Sequence, residues 1–263
     1  MKLAKKIVIG AVLTMALLVV GGFIVPLPDA TNNFSFKLDL AVTTTLAVAY
    51  SASAVLFLVS LRLYKAQMRH AFITLSIGVL LTAISIIQIP ILTVLSLTNS
   101  FWTASGLEGI PFVLSVVFIY AGVRAFARLV GTHTVLTKVG ATLAVITALS
   151  LVSTLLPHAQ ATSSEQQIDT VNAIVVWLGL VALASALIVL QIKQRIGAHY
   201  ANAMAWLFAA LMGSVLAILA SLVSTLVSGD DIALVTTLIN VATLAIGVMY
   251  MRAGYAFTET EDL

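Results

Sequence analysis

Three histidines recur at matching places along the chain. His70 follows Arg69, His133 sits in Gly131-Thr-His, and His199 sits in Gly197-Ala-His, and a long apolar run follows each one. Imidazole titrates near neutral pH and is a common metal ligand. Three such rings brought together at one end of a helical bundle would make a pH-responsive or metal-holding cluster. The competing reading needs no ligand: histidine is an amphipathic residue that sits comfortably at the headgroup level of a bilayer. His158 stands apart from this pattern in a polar stretch.

Two amides inside apolar runs suggest a different chemistry. Gln88 lies two residues before Pro90, and Asn240 lies well inside the last apolar run. Proline removes a backbone donor and can kink a membrane helix, freeing a carbonyl. A kinked span with a nearby amide would line a pocket for a neutral solute or lipid. The same runs hold Thr43, Thr44, Thr45, Ser51, Ser53, Ser85, Asn172, Asn202, Ser214, Ser221 and Thr236. Small and hydroxyl residues let membrane helices approach closely, and amides bond across them. That structural role is the default for most of these residues.

Other chemistries lack their residues. No Asp, Glu, Lys, Arg or His falls at the centre of an apolar run. Such groups mark proton relays, ion paths and voltage sensors. A retinal Schiff base and intramembrane haem ligation are excluded on the same ground. The chain has no cysteine, so disulfides and thiolate sites are excluded. G-x-S-x-G, H-E-x-x-H, P-loop and G-x-G-x-x-G patterns are absent. Gly213-Ser214 has no histidine at comparable depth to activate it. The expectation is a non-enzyme with no catalytic residue, no metal and no cofactor.

The elements that must carry these residues follow from composition. Of 263 residues, 61% are hydrophobic and 9% charged, and mean hydropathy is +1.13. A soluble domain has roughly 25% charged residues, so lipid must be the solvent for most of this surface. A span needs about 20 apolar residues. Eight runs qualify, at about 7–25, 40–61, 71–97, 109–129, 136–156, 170–192, 201–227 and 232–251. The expected fold is an all-α integral membrane protein: one polytopic domain over 1–263, with eight transmembrane helices in four consecutive hairpins. The first run also resembles a signal peptide, with Lys2, Lys5 and Lys6 before it. It is long for that role and lacks a clean small-x-small cleavage site, so it is read as a true span.

Orientation follows from the basic residues. With both termini cytoplasmic, 12 of the 13 Lys and Arg fall inside and only Lys37 outside, as the positive-inside rule requires. The turns Arg62–His70, Arg124–Lys138 and Lys193–His199 then share one face. Basic residues dealt out between spans do not make a nucleic-acid patch. Acids open the returning spans at Asp39, Glu108, Asp169 and Asp230 or Asp231, and bases close them, at a period of roughly 60–70 residues. Helix-dipole compensation explains that placement; a cation-binding rim or a duplicated hairpin are the alternatives. Asn33-Phe-Ser, on the outer side, matches a glycosylation acceptor, and Phe101 and Trp102 suit an interfacial belt.

With no buried charge and short loops, the functional expectation is an interaction protein. It would serve as an accessory or scaffold subunit of a membrane complex, or as a sensor module working through a partner. In layout alone the chain is similar to the membrane input modules of multi-span sensors. The alternative is a transporter or channel for a neutral or lipid-like solute. Its partners would be membrane lipids and other membrane subunits, and a continuous cavity reaching Gln88 or Asn240 would favour transport.

Overall fold

The computed structural model describes residues 2–24, 34–64, 66–94, 109–132, 134–155, 164–224 and 231–259. Among these, the regular secondary structure is entirely helical. The helices are α1 (Lys2–Ile24), α2 (Phe34–Ser60), α3 (Ala66–Val94), α4 (Ile110–Leu129), α5 (Val135–Leu155), α6 (Ser164–Arg195), α7 (Ala198–Ser224) and α8 (Asp231–Glu259). Among the described residues, seven are long and apolar enough to cross a membrane, and α5 carries an apolar stretch over Val135–Ser150.

Several helices outrun the apolar runs that announce them, α2, α6 and α8 by the most. α2 opens at Phe34 and α6 at Ser164, and α8 continues to Glu259. An apolar run marks hydrocarbon depth, whereas a helix continues while its backbone groups are better paired within it than outside. The sequence Ser164-Glu-Gln-Gln has the order of a capping box, which favours a helix start. Beyond Met251, α8 still buries Ala253, Ala256 and Phe257, at the i, i+3, i+4 spacing of a core-facing helix. The expected span ends at residue 251, whereas α8 stays part of the bundle up to Glu259.

Consecutive helices pack on one another, and further contacts join α2 to α8, α4 to α6 and α1 to α8. Six helices, α2–α3–α4–α6–α7–α8, close into a ring. α1 lies outside it on α2 and the flank of α8; α5 lies outside it on α6 and α4. Advancing every helix number by four maps this set of contacts onto itself: α1–α2 becomes α5–α6, and α2–α8 becomes α6–α4. The described chain is thus two four-helix halves with one packing scheme, a longer repeat than the one-hairpin period.

Small residues and a few cross-helix hydrogen bonds fasten the helices to one another. A β-carbon on Gly78 would lie 2.6 Å from Ile119 Cγ1 and 2.9 Å from the Ser115 carbonyl oxygen. The backbones of α3 and α4 meet there because no side chain intervenes. Ser76 Oγ donates to the Ala54 carbonyl at 2.8 Å, tying α3 to α2, and Tyr120 OH donates to the Thr137 carbonyl at 2.6 Å, tying α4 to α5. The turn after α4 closes at Gly131, whose φ of +71° is open to glycine at little cost. Thr132 N–H then returns to the Ala127 carbonyl at 2.9 Å, the Schellman pattern.

One end of the bundle carries exposed Lys2, Arg62, Arg69, Arg128, Lys138 and Arg195, and is called the basic end below. Inside it sits an aromatic cluster. Phe57, Phe72, Phe126 and Phe257 are fully buried. Phe72 meets Phe126 edge-on at 5.2 Å and Phe257 edge-on at 5.1 Å. Tyr64 packs on Phe72 and Tyr200 and donates to the Phe257 carbonyl at 2.7 Å.

Candidate solute cavity

The ring leaves a space at its centre. Every ring helix contributes to its wall: Tyr50 from α2, Thr82 and Ile86 from α3, Ser115 and Ile119 from α4, Ala182 and Ser185 from α6, Ser214 and Ile218 from α7, and Thr243, Ile246 and Tyr250 from α8. Its volume is about 200 Å³, larger than the roughly 150 Å³ apolar cavity that holds a benzene molecule. The Tyr50 and Tyr250 rings lie 5.9 Å apart. On α8, Phe257 of the aromatic cluster stands seven residues beyond Tyr250 towards the basic end.

A second chamber of about 380 Å³ adjoins the first, sharing Ile86, Phe112 and Thr243 with it. Gln88 and Asn240 both line this chamber, with Thr43, Ser85 and Gly109. It lies where α3 ends and α4 and α8 begin, away from the basic end. The structure thus brings together two amides 152 positions apart in the chain. The side chain of Pro90 lies outside the described residues.

The lining of both chambers carries no charged side chain among the described residues. Its polarity comes from hydroxyls and amides. Most hydroxyls turn their proton into the helix: Ser115 to the Phe112 carbonyl at 2.6 Å, Ser185 to Val181 at 2.8 Å, Ser214 to Ala210 at 2.9 Å and Thr243 to Ile239 at 2.7 Å. Such bonds let a hydroxyl face an apolar space without an unsatisfied donor. The arrangement can hold and orient an uncharged molecule.

The histidines are not brought into one site by what is described. His70 is exposed at the start of α3. His133 and the side chain of His199 lie outside the described residues, as do Asn33, Phe101, Trp102 and the side chains of Asp39, Glu108, Asp169, Asp230 and Asp231. Among the described residues, no group of three His, Cys, Asp or Glu is placed to hold a metal ion.

Reading the spans one at a time missed the aromatic cluster and the tyrosine pair. Phe257 lies beyond the apolar run that ends at 251, and apolarity alone does not separate Tyr50 and Tyr250 from other residues of their apolar runs. The available signal was the spacing Tyr250, Ala253, Phe257, which puts all three on one helix face. The fold and site define a class: an all-helical, apolar-rich bundle with a central uncharged cavity. No protein-family model, no curated protein and no solved structure matches this chain.

Proposed function

We propose that this protein crosses a membrane eight times, as four hairpins with the basic end in the cytoplasm. We further propose that it carries a small, uncharged, mainly apolar solute through its central cavity. The topology rests on the positive-inside count and on the shared basic end. Transport rests above all on the central cavity on the seam between two halves of like packing, with the chamber of Gln88 and Asn240 beside it. Parallel repeats around a central site are one of the plans on which secondary transporters are built. The aromatic cluster would be the closed side and the amide chamber the open one. An uncharged lining in low dielectric disfavours an ion, whose desolvation would go uncompensated.

The test is purification of the full chain from its native membrane in a gentle detergent, with extraction of bound small molecules. The expected result is a solitary chain carrying one equivalent of an uncharged solute, lost in Ala182→Trp, which fills the cavity. A chain that always arrives with protein partners and an empty cavity would support the accessory or sensor reading instead. That second reading has its own support: α1 sits outside the ring with Leu13, Leu17 and Ile24 strongly exposed, a face open to lipid or to another subunit.

A further inference from the structure

The hydroxyls of the inner chamber restrict which uncharged solute fits it, given that the cavity binds a solute at all. Thr82, Ser115, Ser185, Ser214 and Thr243 each donate to a carbonyl of their own helix, at 2.6–3.2 Å. Tyr50 OH donates across to the Thr243 carbonyl at 3.4 Å. Ser221 Oγ donates in the same way to the Ile218 carbonyl at 2.7 Å. Of the eight hydroxyls in the described lining, seven therefore point their protons at protein carbonyls. What a hydroxyl keeps after donating once is acceptor capacity, because its oxygen has two lone pairs.

We infer that the inner chamber accepts hydrogen bonds without readily giving them, so that its ligand is a hydrogen-bond donor on an apolar body: an alcohol or phenol, in preference to a ketone, quinone or ester of the same size. A ligand O–H reaching Ser185 or Ser214 gains a bond and breaks none. A ligand carbonyl gains one only if a serine swings its proton away from the helix, exchanging one bond for another. A carboxylate finds no cation among the described lining residues and is disfavoured further.

The test is photolabelling of the full chain in lipid nanodiscs with a diazirine-bearing octan-1-ol, with adducts mapped by peptide mass spectrometry. Competitors are octan-1-ol, octan-2-one and octanoate, compared at equal concentration in the membrane. The expected adducts fall on the α2, α7 and α8 residues of the cavity. Octan-1-ol should compete about tenfold better than octan-2-one, the difference of roughly one net hydrogen bond, with octanoate weaker still. In Ser185→Ala combined with Ser214→Ala, labelling of the cavity should persist while the alcohol preference falls towards one. Equal or better competition by the ketone, or a preference unchanged in the double variant, overturns the donor inference and leaves the cavity a solute site. No labelling of the cavity at all removes the solute reading as well.

Discussion

Phe126 and Phe257 stack with their ring centroids 5.8 Å apart and their planes 5° from parallel. They belong to α4 and α8, which occupy equivalent places in the two halves of the bundle, and Phe72 meets an edge of each pair member. Three rings from three ring helices thus pack together at the basic end. Truncating such a buried phenylalanine costs about 3–5 kcal/mol in well-packed cores. Phe126→Ala and Phe257→Ala are each expected to lower stability by that order in a reversible unfolding titration in mixed micelles. The same variants should let a thiol placed at position 185 react with a membrane-impermeant reagent added at the basic side. A thiol that stays shielded there would show that these rings are not the seal.

The contact of α3 with α4 depends on the missing side chain at Gly78. Gly78→Val would press a branched carbon into the Ile119 backbone nitrogen, where even a β-carbon comes within 2.8 Å. Backbone cannot yield as a side-chain tip can, so the helices must part. A loss of about 1–3 kcal/mol is expected from overpacking, read as a lower unfolding midpoint and a lower yield of monodisperse protein. Gly10→Val, where nothing lies within 4 Å, should behave as the parent does.

Tyr64 reaches from the end of α2 to the last turn of α8. Tyr64→Phe keeps its ring contacts with Phe72 and Tyr200 and removes the hydrogen bond to the Phe257 carbonyl. Interhelical bonds in membranes average about 0.6 kcal/mol and reach about 1.7. Unfolding titrations should show a loss within that range, and a loss as large as that of Phe257→Ala would mean that the hydroxyl holds more than this one bond.

Arg252 and Glu259 form an ion pair at 3.4 Å, with side chains 40% and 37% exposed. Exposed pairs contribute about 0–1 kcal/mol and weaken with salt. Glu259→Gln should therefore shift the unfolding midpoint little, and raising the salt concentration should erase the shift. Arg252 also lies over the Tyr255 ring, 5.3 Å from its centroid, so Arg252→Ala should cost more than Glu259→Gln by the cation–π contribution, about 0.5–1 kcal/mol at such a site.

Gln88→Leu and Asn240→Leu keep the size of the amides and remove their hydrogen bonds. Because the solute hydroxyl is held in the inner chamber, each should leave the concentration of octan-1-ol needed to halve photolabelling unchanged; a rise of about tenfold would place the hydroxyl at the amides instead. Unfolding midpoints close to the parent's would separate this effect from a loss of fold.

The helices were legible because membrane spans announce themselves by length and apolarity, which depend on composition alone. Gln88 and Asn240 stood out for the same reason, as amides where hydrocarbon was expected. Their convergence on one chamber was not legible: it depends on α3 and α8 meeting through the ring closure, and span order alone does not say which helices close it. The aromatic cluster was hidden differently. Phe57, Phe72 and Phe126 look like any lipid-facing residue in an apolar run, and only packing separates a ring turned inward from one turned out. The end of α8 was misread because Arg252 looks like a boundary marker, whereas one charged residue on the outer face of a helix does not stop it.

Alternate opening of the central chamber is most directly tested with a single thiol at Ser185, in a chain that has no other cysteine. The variant is reconstituted in liposomes of one orientation and challenged with an impermeant thiol reagent from each side, with and without octan-1-ol. Transport requires reaction from the side opposite the basic end in the resting protein, and reaction from the basic side once solute is present. A thiol that reacts from one side only, whatever solute is added, would mean that the chamber is a fixed pocket and that this protein does not carry its solute across.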